Sequence, residues 1–332
     1  MGKLIRKATG LTVGVATLLA GLVLPMTASA ESASPIDASP IIHYSFDNAL
    51  TSKTIANEGS AANSDATLSG DATVANGQIN LTGSQTISVP TTAIAGKKDV
   101  TVSIWLKNNY GNGNTAAAYI GAAKTGNYPA NGYWLLNPAN PSGYAKSVMT
   151  NATAADPNNS PWGTEVGPGS TNAAATGTKA TSDLALYTTV INGTNSTMSF
   201  YLNGKQVGDA TYAIPAGGLT NYGDLVAYIG KSSYADPNSK LDVDDYAVYD
   251  TAISAADVTK LYDVQVLDKA EAAVKAAVPA SATEDFTLPT SAAGVSIAWK
   301  SDNAAIAVDN ATGKATVTRP AATAADAEVT LT

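Results

Sequence analysis

The 332-residue chain has no cysteine and a single histidine, His43. Without cysteine there is neither a disulfide framework nor a thiolate metal site, and one imidazole cannot build a multi-histidine metal centre or a cysteine–histidine pair. Charge is sparse as well: Asp, Glu, Lys and Arg make up 14% of residues, with 19 basic against 27 acidic. No basic block occurs, so the electrostatic footprint of a nucleic-acid binder is missing and no nucleic-acid partner is expected. Long apolar runs are scarce, and the best of them, Leu11 to Leu24, falls short of the roughly 20 residues that cross a bilayer, so no membrane span is expected. What remains is 45% apolar residues with 43 glycines and prolines, a composition that excludes collagen, coiled coil and a highly charged disordered chain. The length predicts one large or two medium domains.

Residues 1–30 read as a secretory signal. Lys3, Arg6 and Lys7 precede the apolar run, and Ala28-Ser29-Ala30 offers small residues for cleavage. Removing this segment leaves 16 basic and 27 acidic residues, a formal charge of −11 suited to an exported, soluble protein. Residues 31–40, with Ser32, Ser34, Pro35, Ser39 and Pro40, read as a flexible leader.

From Ile41 onward, short stretches rich in Val, Ile, Thr and Tyr are broken by Gly, Asn and Pro, the pattern of an antiparallel sandwich. In residues 99–107, Val100, Val102, Ile104 and Leu106 share one face, while Thr101, Ser103, Trp105 and Lys107 share the other. Residues 183–192 and 196–202 form a second alternating pair around Asn192-Gly193, and Asn203-Gly204 marks another hairpin turn. Ser254 and Asp257 have the spacing of a helix N-cap, with Val258, Leu261 and Tyr262 on the stripe that follows. Residues 267–278 are an alanine-rich, helix-prone connector ended by Pro279.

Four segments together carry a resemblance: Ile42-His-Tyr-Ser-Phe-Asp47, the strand from Val100 to Lys107, Phe200-Tyr-Leu-Asn-Gly-Lys-Gln-Val207, and Leu241-Asp-Val-Asp-Asp-Tyr-Ala-Val-Tyr-Asp250 with its helix. Over residues 41–265 the chain resembles the laminin-G-like branch of the concanavalin A-like lectin and glucanase sandwiches. That resemblance implies an all-β jelly roll whose first and last strands pair, and a structural calcium near the pairing. Asp47, Asn57 and Asp244 match the family's acidic or amide positions, with Asp245 an alternative to Asp244. Calcium needs six to eight oxygens; otherwise Asp47 and Asn57 cap turns and Asp242, Asp244 and Asp245 form a solvated edge.

The stretch from Asn108 to Pro168 concentrates tyrosine and tryptophan among Asn, Gly, Ser and Pro. Such a mixture suits loops that stack on apolar sugar faces and hydrogen-bond their hydroxyls, although aromatic rings also simply cover a sandwich. Trp162 is the first candidate for contact with a glycan, followed by Tyr128, Tyr110 and Tyr144. Trp105, Tyr133 and Trp134 fall within strands and read as covering residues, and His43 as a satisfied residue of the first strand. No catalytic constellation is visible. Glu58 and Glu165 stand alone in sequence, where a glycosidase needs two carboxyl groups across the bond to be cut.

Beyond the connector at 266–279, residues 280–332 give further short strands around Phe286-Thr-Leu288, 295–300, 305–308 and 314–317. Leu288-Pro289, Ile297-Ala-Trp-Lys-Ser301, Thr312 to Pro320 and Val329-Thr-Leu-Thr332 resemble the atrophied bacterial immunoglobulin-like domain, with Trp299 as the core tryptophan. The second sandwich reads as incomplete, which makes the chain a fragment of a longer protein. Proteins that join these two modules resemble large extracellular bacterial glycoside hydrolases, with arabinofuranosidase-like enzymes acting on plant polysaccharide prominent among them. The expected function is therefore non-catalytic: a glycan-binding or scaffolding module, with a polysaccharide and a downstream catalytic domain as partners. The alternative is an adhesion protein at the cell surface, attached through a C-terminal anchor, that grips glycans or proteins.

Overall fold

A computed structural model describes residues 36–125, 128–129, 132–150, 161–170, 177–208, 211–321 and 323–332. The secretory reading of residues 1–30 and the first half of the leader, residues 31–35, lie outside the described residues. The chain divides into two units, Ser34–Asp263 and Val264–Thr332.

The first unit is a sandwich of two antiparallel sheets. Sheet one runs Lys205–Gln206, Thr197–Leu202, Ala185–Asn192, Asp99–Asn108, Leu241–Tyr249, Gln78–Leu81, Thr73–Ala75 in spatial order. Its last long strand pairs with the first strand of the unit, Ile42 opposite Val248 and Tyr44 opposite Tyr246, as the jelly-roll resemblance requires. Sheet two runs Glu165–Val166, Lys146–Thr150, Tyr133–Asn137, Ala118–Ala122, Leu225–Ile229, Thr86–Val89, Ala66–Ser69, Thr54–Ile55.

The period-2 reading of the strand Asp99–Asn108 holds in three dimensions. Val100, Val102, Ile104 and Leu106 enter the core between the sheets. Trp105 lies on the opposite face yet is fully buried, because Tyr262 of the helix stacks on it at 5.9 Å. The Asn203-Gly204 turn has both residues in the left-handed region, φ 52° and 71°, the geometry of a tight hairpin turn that glycine accepts without cost. A polar relay crosses the core: Trp134 Nε1 donates to Ser147 Oγ at 3.1 Å, which lies 2.8 Å from Thr189 Oγ1 on the facing sheet.

The sequence suggests a short helix and a separate connector; the structure makes one helix of them, Ala255–Ala277. No glycine or proline interrupts residues 255–277, so nothing opposes propagation once the helix is nucleated. Ser254 Oγ caps it, accepting from Asp257 N at 3.1 Å and donating to the Asp257 carboxylate at 2.7 Å.

In the second unit, Lys314–Val317 lies between Phe286–Thr287 and Ile306–Asp309, and Ser291–Ala292 pairs with Val295–Ser296. Trp299 is the core tryptophan, buried with Leu288, Ile306, Ala315, Val329 and Leu331, and its Nε1 donates to Pro289 O at 2.7 Å. The expected strand at 295–300 ends at Ser296. Beyond it the Asn310 side chain serves as the partner of Trp299, accepting from its N at 2.5 Å and donating to its O at 3.0 Å. Lys300 and Thr332 exchange main-chain hydrogen bonds at 2.7 and 2.8 Å, which ties the C-terminal residues into the unit.

Candidate functional site

Alternation in sheet two divides its side chains between two environments. Ile120, Trp134, Leu136, Ala227 and Ile229 belong to the sandwich core. On the opposite face Tyr119, Tyr133, Leu135 and Val148 form a separate cluster, joined by Val226, Tyr228 and Tyr234. Strand register aligns this face: Leu135 lies opposite Tyr119, and Tyr119 opposite Tyr228. Tyr119 stacks against Tyr133 at 5.7 Å and Tyr228 at 6.2 Å, while Tyr234 meets Tyr133 edge-on at 5.4 Å. Aromatic pairs favour these offset and edge geometries.

The face is also polar. Tyr133 Oη donates to Glu165 Oε1 at 2.7 Å and accepts from Tyr234 Oη at 3.0 Å. Glu165 is 3% exposed and carries an ion pair with Lys146 at 2.6 Å. Burial, then the neighbouring Glu165 carboxylate, push the Tyr133 phenol well above its usual range, so it stays protonated and acts as a donor. Loss of water raises the Asp236 carboxyl, and the Lys146 ammonium draws it partly back. Lys231 Nζ sits 4.1 Å above the Tyr228 ring.

Trp162 stands at the margin of this sheet. It lies in the 3-10 turn Pro161–Thr164, closed by Thr164 Oγ1 donating to Pro161 O at 2.8 Å, immediately before the edge strand Glu165–Val166. At 46% exposure it presents more apolar ring to solvent than the buried tryptophans 105, 134 and 299. The other three ligand candidates are placed differently. Tyr144 has the Lys179 ammonium 3.9 Å over its ring, which occupies the stacking face and argues against a sugar platform there. Tyr110 folds onto its own loop, its Cε1 only 2.7 Å from where a Cβ on Gly113 would stand. Tyr128 lies in the two-residue strand Tyr128–Pro129, paired with Lys124–Thr125.

At the other sheet, Asp47 and Asp244 converge on Gly77: a Cβ there would meet Asp47 Oδ1 at 3.3 Å and Asp244 Oδ2 at 4.0 Å. Asp244 is 2% exposed and opens a bulge in its strand, where Asp245 takes φ 44°. Asn57, the third residue inferred for calcium, bonds main-chain groups. Its Oδ1 accepts from His43 N at 2.8 Å and Gly59 N at 3.0 Å, and its Nδ2 donates to the carbonyls of Ile41, Gly59 and Ala61. This amide holds a loop together through main-chain groups. Among the described residues no group of three or more His, Asp or Glu side chains has metal-binding geometry. His43 is satisfied between two carboxylates, with Nε2 at 2.9 Å from Asp245 and Nδ1 at 3.7 Å from Glu58.

The fold defines an antiparallel jelly-roll module. The sequence model described as the concanavalin A-like lectin/glucanases superfamily matches residues 81–259, more than half of the chain, and the chain belongs to that superfamily. The model of the atrophied bacterial Ig domain matches residues 262–332. Among solved structures, domain 4 of AbnA, a GH43 extracellular arabinanase from Geobacillus stearothermophilus in complex with arabinotriose, is similar at 19% identity and TM-score 0.49, over 68% of this chain and 98% of that one. The receptor binding domain of botulinum neurotoxin mosaic serotype C/D is similar at 18% identity and TM-score 0.45, over 70% of this chain and 52% of that one, so the match spans about half the toxin domain. No curated protein sequence matches the chain. No helix among the described residues is long and apolar enough to cross a membrane.

Proposed function

We propose that the chain is the glycan-binding accessory region of a secreted, multimodular carbohydrate-active protein, with the immunoglobulin-like unit as spacer. The observation that carries this reading is Trp162, an exposed indole in the turn before the edge strand of sheet two, in a lectin-superfamily sandwich. An exposed indole suits the apolar stacking face of a sugar ring. The parent protein on this reading is a glycoside hydrolase acting on plant polysaccharide, of the arabinofuranosidase kind, with its catalytic domain elsewhere. The chain should be retarded in affinity electrophoresis by at least one of arabinan, arabinoxylan and arabinogalactan. Trp162→Ala should then weaken binding by about 1–3 kcal/mol, the range for losing one stacking partner. Retention of full affinity by the variant would place the contact elsewhere.

A structural calcium belongs to the same proposal. The Asp47 and Asp244 carboxylates would hold it, with main-chain or water oxygens completing the shell. Calcium supplied after chelation should release or absorb heat in titration calorimetry and raise the melting temperature, because a ligand bound only by the folded state stabilises it. Asp244→Asn should abolish both effects; neither effect in the unaltered protein would remove the ion from the account.

A further inference from the structure

The hairpin that joins the edge strand Thr73–Ala75 to Gln78–Leu81 turns on Asn76-Gly77, with φ 54° and 72°. A two-residue turn of this hand needs positive φ at both positions, and Asn followed by Gly is the pair that accepts it. The same pair is chemically labile. The glycine main-chain nitrogen can close a five-membered ring on the Cγ of the preceding asparagine, and the missing Cβ leaves that approach unhindered. Four such pairs fall among the described residues: Asn76-Gly77, Asn112-Gly113, Asn192-Gly193 and Asn203-Gly204.

Three of the four are held. Asn192 Oδ1 accepts from Asn195 N at 2.8 Å, and Gly193 N, the nucleophile of that pair, donates to Lys98 O at 3.0 Å. Gly113 N donates to Ala139 O at 2.9 Å. Asn203 Oδ1 accepts from Leu186 N at 2.9 Å, and Tyr262 crowds its glycine, the Tyr262 Cβ lying 2.9 Å from where a Cβ on Gly204 would stand. Asn76 differs: it is exposed, and among the described residues neither its side chain nor Gly77 N makes a hydrogen bond. Asn203 is its natural control, because the two turns share the Asn-Gly pair and nearly the same φ values and differ in what holds the asparagine. We infer that Asn76 is a site of self-modification. The Gly77 nitrogen gives its proton to solvent base and bonds Asn76 Cγ, the Cγ–Nδ2 bond breaks, and ammonia leaves. Water then opens the succinimide at either carbonyl to give aspartate or isoaspartate, so no oxidant or cofactor enters the balance. The product puts a carboxylate into the turn whose glycine already lies beside Asp47 and Asp244, and isoaspartate also adds a methylene to the main chain at the edge of sheet one. Neither the glycan reading nor the calcium reading is needed for it.

Incubation of the full chain in mildly alkaline buffer, followed by peptide mapping with mass spectrometry and enzymatic methylation of isoaspartate, locates the product. Asn76 should convert on the order of 10-fold faster than Asn203, the factor by which one retained hydrogen bond holds an asparagine back. Asn112 and Asn192 should also lag behind it. Concentrated urea should bring the four rates together, since what restrains the slower three belongs to the fold. Asn203 keeping pace with Asn76 in the folded chain would overturn the assignment, and so would a difference that survives undiminished in urea. Asn76→Gly, which keeps the positive φ of the turn, should remove the early isoaspartate. Its undiminished formation in that variant would overturn the assignment as well.

Discussion

Trp134→Ala should lower the stability of the chain by about 3–5 kcal/mol, the cost of removing a large aromatic from a packed core. Trp134 is fully buried between the sheets, and its Nε1–H is the first member of the relay through Ser147 to Thr189. Truncation therefore leaves a cavity and also removes the donor to a hydroxyl that is itself 0% exposed. Urea unfolding followed by tryptophan fluorescence should show a lower midpoint with an unchanged slope. Trp134→Phe should recover most of the packing and little of the relay. A loss under about 1 kcal/mol for the alanine variant would mean that the two sheets are not held together here.

The second large effect is expected at Lys146. Replacing it with methionine strips the cation from Glu165, a carboxylate 3% exposed and fixed in place by the Tyr133 hydroxyl. Breaking a buried pair by removing one partner costs about 3–5 kcal/mol, because the remaining charge stays desolvated. Glu165→Gln in the same chain should restore most of that loss, since a neutral amide still accepts from Tyr133 and no longer needs a counter-charge. Equal instability of the single and double variants would show that the loss does not come from an uncompensated Glu165 charge. Coupling between the two substitutions, measured as a double-mutant cycle, separates these outcomes.

Much of the fold was legible because its signals are local. The alternation of Val100, Val102, Ile104 and Leu106 assigns one face of the central strand, and Asn203-Gly204 requires its turn. Ser254 and Asp257 announce a helix start that the structure caps as expected. The length of that helix was less legible, since the absence of a breaker at 263–266 is a weaker signal than the presence of a cap. The main-chain bonding of the Asn57 amide was not legible at all. An amide that matches a ligand position in sequence is free to bond main-chain groups instead, and only the path of the loop decides which it does.

The candidate site divides the same way. Trp162 stands out because Pro161-Trp-Gly163 cannot lie within a strand, and it is exposed. Tyr119 and Tyr133 fall on one face through strand register, but their pairing with Tyr228 and Tyr234 joins residues about a hundred positions apart. Glu165 looked isolated for a similar reason: its partners Lys146 and Tyr133 lie on two neighbouring strands of sheet two. The stacking face of Tyr144 was lost to Lys179 through a bridge between loops that no spacing rule reveals.

Amide chemical-shift mapping of the isotopically labelled chain during titration with soluble arabinan, arabinoxylan or arabinogalactan fragments tests the central claim most directly. The account predicts shifts gathered at Trp162 and along residues 133–137, 146–150, 161–166 and 226–239, with the helix-covered face of sheet one unmoved. Shifts confined to that opposite face, around Trp105 and Thr188, would contradict it.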